Sequence, residues 1–339
     1  MGASQTKMDH SSIFFVHSLD HRSASDVRGL FNYGLSCCVN ALLQSFSATS
    51  ELLDILNKWN PSEEIRENNI PLQLKNALQA IKDTSNPYPH RYFLDCLNSH
   101  NISRYTQHDA DEIFLIILNL SQKQMPDQDL AKEIRSLYEI KMETRVMCLE
   151  CTYIQQVPNT SFSLPLAIRE GGNSLESCIQ SFFKRQNLRE GEESYCDRCG
   201  QKQPSTHELR LVSLPQVLCV HIKRFRNDNG FTRKLNSKVT FPKTLNMGTF
   251  DAAGQSENEV SGSLQADEHY NLYAVIVHIG TAMFGHYTAY IQPSQELTWY
   301  YADDSTVRPA TWANVQDTYE GGKTAYLLLY RKMSRNASG

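Results

Sequence analysis

The chain has 339 residues, of which 40% are hydrophobic and 21% are charged, so it is long enough to bury a large core. Lys and Arg number 33 against 37 Asp and Glu, which gives a formal net charge of −4 at pH 7. Because no long run carries one sign, this balance gives no electrostatic reason to expect a nucleic-acid partner.

The chain shows no pattern of a membrane span or of a secretory signal. No stretch approaches the roughly 18 consecutive apolar residues that a span needs, and residues 1–27 are polar and predict a flexible tail. We therefore expect a cytoplasmic protein, with the nucleus as a second location and no stable membrane span. The opening MGASQT also matches the pattern for N-myristoylation at Gly2, which would give reversible membrane contact.

The predicted elements change character near Tyr138. From Gly29 to about Leu137, apolar residues recur at spacings of three and four, which predicts a mostly helical segment. Short runs rich in Val, Ile, Thr, Tyr and Phe follow, and these predict antiparallel strands. Residues 247–268 are rich in Gly, Ser and acidic residues and predict an exposed loop. Helices followed by strands indicate an α+β fold.

The stretch GLFNYGLSCCVNALLQSF places Cys37 and Cys38 where a glycine-rich loop turns into an apolar helix. Two small buried core residues are one interpretation of this pair. The other is a nucleophile, since Ser36 can cap a helix there and the first turn of a helix lowers the pKa of a thiol. The residues of this stretch alone leave both interpretations open.

A nucleophilic thiol needs a base and a third group that orients the base. His286 follows a glycine at the start of an alternating strand in FGHYTAYI. Asp303 and Asp304 end the segment TWYYADD and would lie beside His286 if residues 286–290 pair with residues 298–302 as a hairpin. An exposed loop histidine and an ordinary acidic turn are the alternatives.

Four of the nine cysteines form two CxxC pairs, made by Cys148, Cys151, Cys196 and Cys199. Two such pairs supply the four thiolates of a closed tetrahedral zinc site. The alternatives are a redox pair, which usually has one CxxC, and four unligated thiols. The cysteine pattern therefore predicts a structural zinc ion and no catalytic cofactor.

Ordered blocks of the chain from about Gly29 to Lys332 resemble the ubiquitin-specific proteases. The Gly29–Phe46 stretch is similar to the cysteine box of that family, and YNLYAVIVHIGTAMFGHYTAYI with TWYYADDSTV is similar to its histidine box. Further matches in the expected order are QHDADEIF, LPQVLCVHIKRF, KVTFP and AYLLLY. The resemblance implies a helical thumb at about 28–140, zinc-tipped β fingers at about 141–213, an antiparallel β palm at about 214–334 and a short tail at 335–339.

The resemblance also implies roles for individual residues. It implies that Cys37 is the nucleophile, His286 the general base and Asp303 the acid that orients His286. It also implies that Asp304 supports Asp303 and that the Asn32 amide donates a hydrogen bond to the oxyanion. The family's substrates end in a basic, glycine-terminated tail joined to a lysine by an isopeptide bond. The positions implied to hold that tail are Gln107, Asp109, Glu112, His278 and Tyr287. Without the resemblance, a solvated helix face is the alternative interpretation of Asp109 and Glu112.

Departures from the usual family pattern point to one branch of it. Leu35 and Ser36 replace the usual Asn-Thr, and Cys38 replaces the usual aromatic residue, so we expect Cys38 to pack beneath the site and not to attack. These features most resemble the interferon-induced deISGylating member, which removes a two-domain interferon-stimulated modifier. We therefore expect a monomeric deISGylating isopeptidase that acts as a negative regulator of interferon signalling, with an interferon-receptor complex as a second partner.

Three alternatives to a deISGylase stay open at this point. The first is a general deubiquitinase, and the second is a non-enzymatic adaptor that binds a modifier or a receptor complex. The third is a papain-like or transglutaminase-like enzyme, which predicts no zinc and a different order of blocks.

Overall fold

The computed structural model describes residues 27–334, except residues 63, 64, 66, 84, 87, 189–192, 252–267 and 294–296. Gly2, nearly all of the predicted N-terminal tail, the C-terminal tail and most of the 247–268 loop lie outside the described residues. Within the described part of the chain, no helix combines the length and the apolar character that crossing a bilayer requires.

Six helices make up the first part of the chain, as its apolar spacing predicts. They are α1 Cys37–Ser47, α2 Ser50–Lys58, α3 Ile70–Lys82, α4 Arg91–Ser99, α5 Ala110–Gln124 and α6 Gln128–Tyr138. Side chains cap three of them, because Asn69, Asp109 and Asp127 each accept hydrogen bonds from backbone N–H groups of the following first turn. Their apolar faces pack together in one core.

The rest of the chain is mainly strand. The strands are β1 Ile140–Cys148, β2 Ile154–Ser161, β3 Leu164–Ala167, β4 Asn173–Ser174, β5 Gln186–Asn187, β6 Ser194–Cys196, β7 Gln201–Gln203, β8 Ser205–Ser213, β9 Val217–Lys223, β10 Phe225–Asp228, β11 Phe231–Lys234, β12 Val239–Thr240, β13 Thr244–Asn246, β14 His269–Gly280, β15 Gly285–Ile291, β16 Trp299–Asp303, β17 Thr306–Ala310 and β18 Lys323–Lys332. Three short helices interrupt them, α7 Leu175–Phe183, α8 Gly248–Asp251 and α9 Trp312–Gln316.

Two sheets dominate this part of the chain. The larger has the strand order β17-β16-β15-β14-β18-β9-β3, with β13 paired to β14, and the smaller has the order β2-β1-β8-β5. Pairing is antiparallel apart from β3 with β9 and β4 with β12. The α+β prediction is therefore confirmed, whereas the predicted boundaries between thumb, fingers and palm stay a prediction.

The larger sheet separates two hydrophobic cores. Along β14, Ala274 and Ile276 belong to the core shared with the helices, whereas Val275 and Val277 belong to a second core on the other face. This alternation follows from the two-residue period of a strand, and it makes β14 buried on both faces. Helix α1 packs against β15, so the first cysteine pair comes to lie beside the strand that carries His286.

The prediction that residues 247–268 form an exposed loop is wrong at its start. Met247 and Phe250 are buried in the second core, and residues 248–251 form helix α8. The backbone N–H of Met247 donates to the carbonyl of Glu268 at 2.8 Å, so the two ends of the segment meet. Two apolar anchors in an otherwise polar stretch are too few to change its mean composition, which is why the pattern missed them.

Candidate active site

Helix α1 begins at Cys37, as predicted, but Ser36 does not cap it with its side chain. The Ser36 hydroxyl instead accepts a hydrogen bond from the Tyr33 N–H at 3.0 Å and donates to Asn32 Oδ1 at 3.2 Å. The predicted side-chain cap is therefore wrong, because the hydroxyl stabilises the turn that precedes the helix. Cys37 nevertheless lies in the first turn, where backbone N–H groups lack intrahelical partners.

The two adjacent thiols differ in their surroundings. Cys38 points into the core and is 2% exposed, and burial, followed by the nearby Cys37, raises its pKa well above the usual value. Cys37 is 6% exposed and borders the same cleft as Cys38, but Cys37 is the thiol that raises the pKa of His286. A thiol acts as a nucleophile only as thiolate, so burial excludes Cys38 from attack at neutral pH.

The predicted pairing of the two strands that carry the histidine and the acids is confirmed. Strands β15 and β16 are antiparallel neighbours, with Ala289 opposite Ala302. His286 Nε2 lies 2.7 Å from Asp303 Oδ1, and the Tyr301 hydroxyl donates to the other carboxylate oxygen of Asp303 at 3.4 Å.

The His286 ring is held between a thiol and a carboxylate. Since Nε2 faces Asp303, Nδ1 is the ring nitrogen left for Cys37. The interaction with Cys37 has the largest effect on the pKa of His286 and raises it, whereas burial lowers it. Asp303 and Asp304 raise the pKa further, so that it reaches about 9. His286 is therefore an imidazolium at neutral pH, in position to stabilise a thiolate.

Asp304 joins the cysteine loop to the strands. Its carboxylate accepts hydrogen bonds from the side-chain amides of Asn32, at 2.9 Å, and Asn40, at 2.7 Å, and its backbone carbonyl accepts one from the Leu30 N–H at 2.7 Å. Asn32 Oδ1 accepts from the Ser36 N–H at 3.1 Å, and this contact fixes which end of the Asn32 amide faces Asp304. The second hydrogen of that amide remains available to a reacting atom.

A cleft of about 280 Å³ leads to Cys37. Four of the five residues predicted to hold a substrate tail line it, namely Gln107, Asp109, His278 and Tyr287. Glu112 is exposed in the first turn of α5 and does not line the cleft. The structure thus brings together most of the predicted tail-binding residues beside the predicted nucleophile.

Two of the cleft residues already have partners within the chain. Gln107 donates from Nε2 to the Gly285 carbonyl at 2.9 Å and accepts from the Gly285 N–H at 3.4 Å. Asp109 Oδ1 accepts from the N–H groups of Asp111, at 2.8 Å, and Glu112, at 3.2 Å. The Tyr326 hydroxyl donates to Asp109 Oδ2. These contacts fix both side chains before any ligand arrives.

His278 is a neutral counterpart to His286. It is 4% exposed, and burial, followed by the charge of Lys234, lowers its pKa to about 3. A Cβ on Gly285 would lie 2.0 Å from His278 Nε2, so only glycine fits at that position. His278 therefore packs directly beneath the residue that precedes His286.

Sequence reasoning missed Asn40, Tyr301 and Gly285. Asn40 lies three residues after Cys37 and so on the same face of α1, which is a signal that the sequence does carry. Tyr301 alternates with Asp303 along β16 and shares its face of the strand. The approach of Gly285 to His278 depends on the pairing of β14 with β15 and has no local signal.

The four CxxC cysteines lie together at the end of the smaller sheet. Their Sγ atoms are within 4.8 Å of one another, with 4.0 Å between Cys148 and Cys199 and 3.5 Å between Cys151 and Cys196. Four sulfurs at about 2.3 Å from one ion in a tetrahedron would be about 3.8 Å apart. The donor set and its spacing therefore fit a zinc ion.

The two CxxC turns have matching backbones. The Thr152 N–H donates to the Cys148 carbonyl at 3.0 Å, and the Gly200 N–H donates to the Cys196 carbonyl at 2.9 Å. Thr152 and Gly200 both have left-handed backbones, with φ of 59° and 69°. Because Cys148 ends β1, about 26 Å of strand separates the cluster from the beginning of that strand.

Comparison with known proteins gives consistent matches. The protein-family model described as ubiquitin carboxyl-terminal hydrolase matches residues 28–330. Ubl carboxyl-terminal hydrolase 18 of Mus musculus is 33% identical over 317 residues, covering 90% of this chain and 85% of the relative. The Homo sapiens protein of that name is 29% identical over 320 residues, with the same coverage.

A more distant relative and a solved structure also match. Ubiquitin carboxyl-terminal hydrolase 47 of Drosophila melanogaster is 25% identical over 385 residues, covering 90% of this chain but 25% of the relative. A chain of the SAGA Ubp8/Sgf11/Sus1/Sgf73 DUB module bound to ubiquitin aldehyde superposes with a TM-score of 0.76 at 24% identity. It covers 92% of this chain and 70% of the solved chain. That likeness shows a common fold.

We expect the pKa of His286 to depend on Cys37. In Cys37→Ser, loss of the thiol removes the largest contribution that raises the His286 pKa, so we expect the pKa to fall from about 9 toward the ordinary 6.5. Titration of the ring signals by nuclear magnetic resonance measures this shift. Asp303→Asn should lower the pKa as well, and Cys38→Ser should leave it in place. An unchanged pKa in Cys37→Ser would show that the thiol does not contact the ring.

The cysteine cluster predicts one zinc per chain. Cys148→Ser should lower both the zinc content and the melting temperature, because binding of a structural zinc contributes to folding free energy. Cys96→Ala, which changes a buried cysteine outside the cluster, serves as the control and should keep the full zinc content. Elemental analysis and thermal unfolding are the measurements, and wild-type protein with well below one equivalent of zinc would contradict the prediction.

Proposed function

Because the chain belongs to the ubiquitin carboxyl-terminal hydrolase family and is a cysteine-type isopeptidase of ubiquitin-like modifiers, we propose that it is a deISGylase. Its substrate is the two-domain interferon-stimulated modifier joined to a target lysine. The observation that carries the chemistry is the contact of His286 with both Cys37 and Asp303. The modifier choice is supported by higher identity to Ubl carboxyl-terminal hydrolase 18, at 33%, than to ubiquitin carboxyl-terminal hydrolase 47, at 25%.

In the proposed reaction, the Cys37 thiolate attacks the carbonyl carbon of the modifier's C-terminal glycine. The negative charge that develops on the carbonyl oxygen is stabilised by the free amide hydrogen of Asn32 and by backbone N–H groups at the start of α1. Asp304 holds the Asn32 amide in position, so the donor is oriented before the substrate binds. Such preorganised donors need no rearrangement during the reaction.

His286 supplies the proton that the leaving group needs. As the tetrahedral intermediate collapses, the carbon–nitrogen bond breaks, and His286 Nδ1–H donates its proton to the departing lysine amine. A thioester between Cys37 and the modifier remains. Water then attacks the thioester, His286 accepts its proton, and the Cys37 thiolate and the free modifier are regenerated. Asp303 keeps the ring oriented and stabilises its positive charge throughout.

The cleft residues hold the modifier's tail in this proposal. Asp109 and Glu112 provide negative charge for basic tail residues, while Tyr287 and His278 form a narrow wall near Cys37. Gln107 acts through Gly285, whose backbone it holds at both polar atoms.

The remaining expectations are part of the same proposal. The four cysteines hold a structural zinc that links the end of the smaller sheet to the β6–β7 hairpin and takes no part in the reaction. Negative regulation of interferon signalling, contact with an interferon-receptor complex, a monomeric state and a cytoplasmic or nuclear location are supported by the family resemblance. A general deubiquitinase and a non-enzymatic adaptor are the competing functions.

The identity of the nucleophile predicts different outcomes for the two adjacent cysteines. Cys37→Ser should abolish covalent labelling by a modifier probe with a C-terminal electrophile, since a serine hydroxyl stays protonated. Cys38→Ser should retain most of the labelling, and Cys38→Ala provides a second test if the buried hydroxyl reduces stability. Mass spectrometry of the labelled protein is the measurement. Labelling of Cys37→Ser with loss in Cys38→Ser would reverse the assignment.

Modifier selectivity provides the test of the proposed function. We expect the two-domain modifier's probe to label at least about tenfold faster than the ubiquitin probe, a difference of roughly 1.4 kcal/mol. The C-terminal ubiquitin-like domain of the modifier alone should retain most of this rate. Asp109→Arg should slow both probes, because both modifiers present the same kind of tail. Equal rates would contradict deISGylation and leave a general deubiquitinase, and labelling by neither probe would favour the adaptor.

A further inference from the structure

Four aromatic residues form an exposed patch on the cysteine loop and on the loops that precede α4 and α5. This aromatic patch consists of Phe31, Tyr33, Tyr88 and Tyr105, of which Phe31 is 54% exposed, Tyr88 51% and Tyr105 67%. The Tyr33 ring lies 5.0 Å from the Phe31 ring and 6.3 Å from the Tyr88 ring. A Cβ placed on Gly34 would lie 3.4 Å from the Tyr105 ring, so the fourth member borders the same loop. Contiguous exposed aromatic surface of this kind is typical of a binding site.

The backbone beneath the aromatic patch is fixed by buried groups. His90 is fully buried, and its Nε2 lies 3.0 Å from the Phe31 carbonyl, to which it must donate because a carbonyl only accepts. The Asn40 amide donates to the same carbonyl at 3.4 Å, and the Leu35 N–H donates to the Arg104 carbonyl at 2.8 Å. The patch is therefore preorganised, and a ligand would bind it without first ordering the loop.

The aromatic patch lies outside the cleft that leads to Cys37. The cleft is lined by Leu35 and the two cysteines, by residues 107–109 before α5, and by residues of β10, β11, β14 and β15 with the loop between the last two. None of the four aromatic residues belongs to its lining. The loop that carries Phe31 and Tyr33 contacts Asp304 through Leu30 and Asn32. Two members of the patch therefore lie on the loop that leads from the acidic turn to Cys37.

We propose that the aromatic patch binds the segment of the target protein that surrounds the modified lysine. This inference rests on the proposed function, because an isopeptide bond has a modifier on one side and a target lysine on the other. The cleft takes the modifier tail as far as Cys37, so the lysine and its flanking residues must lie against the remaining surface beside the sulfur. In an isopeptide the lysine stem is uncharged and largely apolar, which suits contact with aromatic rings.

The charged residues around the aromatic patch indicate which target segments it would favour. The Arg104 guanidinium lies 5.3 Å from the centre of the Tyr105 ring. Burial and the neighbouring Tyr88 raise the pKa of Tyr33, and the positive charges of Arg91 and Arg104 oppose this shift. Asp95 pairs with Arg104 at 2.8 Å, which leaves the side of Arg91 as the more cationic end. The favoured target segment carries apolar residues next to the modified lysine and an acidic residue beyond them.

The test compares two substrates that differ only on the lysine side. The first is the modifier joined by an isopeptide bond to a lysine within a peptide of apolar and acidic residues. The second is the modifier with a C-terminal propargylamide, which reacts with Cys37 and carries no target segment. We expect the double variant of Phe31→Ala with Tyr88→Ala to lower kcat/KM for the isopeptide about five- to tenfold, and to change the labelling rate less than twofold.

Tyr92→Ala is the matched control, because it removes an aromatic side chain of α4 that is 75% exposed and lies outside the ring contacts of the aromatic patch. It should leave both rates unchanged. Thermal unfolding checks the fold of each variant, and the single variant Tyr88→Ala, which leaves the cysteine loop intact, is used if the double variant unfolds.

Each outcome decides for or against the aromatic patch. An equal loss with both substrates would assign the four residues to support of the cysteine loop and overturn the inference. Unchanged cleavage of the isopeptide by the variants would overturn it as well. A wild-type protein that reacts with no modifier probe would overturn the proposed function itself. That result is distinct from the results that overturn only the role of the aromatic patch in target binding.

Discussion

The hydrogen bonds to Asp304 are the contacts on which the geometry of the site depends. The reactive thiol belongs to the helical part of the chain and the imidazole to the sheet, so only contacts across their junction fix the distance between them. Two side-chain amides, from Asn32 and Asn40, donate to the Asp304 carboxylate, and hydrogen bonds to a charged acceptor are stronger than neutral ones. Next to them, a Cβ on Gly29 would lie 2.1 Å from the Ser305 carbonyl oxygen, so the cysteine loop rests directly on the β16–β17 turn.

Burial gives chemically identical side chains different roles on either side of this junction. Burial raises the pKa of the Cys38 thiol well above the usual value, whereas the Cys37 thiol, at the same cleft, interacts with the His286 imidazole. The two histidines differ in the opposite sense. His278 is buried, carries a pKa of about 3 and stays neutral, while His286 is paired with a thiol and a carboxylate and carries a pKa of about 9. The residue type therefore identifies candidate nucleophiles and bases, and the surroundings of each side chain determine which candidate can act.

Local sequence patterns predict much of this architecture, but they do not predict hydrogen bonds between side chains that are distant in sequence. Apolar periodicity predicts a mostly helical first part and a strand-rich remainder, and CxxC spacing predicts the cysteine cluster, because each depends on residues close in sequence. Ser36 has the residue type of a helix cap, yet its hydroxyl bonds to the preceding turn. The partners of Asp304 are more than 260 residues away from it, with a separation of 264 for Asn40 and 272 for Asn32. No local pattern encodes such a contact, which only the folded junction creates.

In the proposed isopeptidase, Cys37 lies between the cleft, which binds the modifier, and the aromatic patch, which binds the target protein. The cleft binds a glycine-terminated tail that several modifiers share, so discrimination among modifiers has to come from contacts with their globular bodies. The aromatic patch meets the other side of the scissile bond, and it is carried by the same loop that presents Asn32 to the reacting carbonyl. Because His90 and Asn40 hold that loop rigidly, contact with a target segment changes where the lysine lies without moving the oxyanion donor. Modifier choice and target choice are then independent contributions to the free energy of the transition state, and they meet only at the sulfur of Cys37.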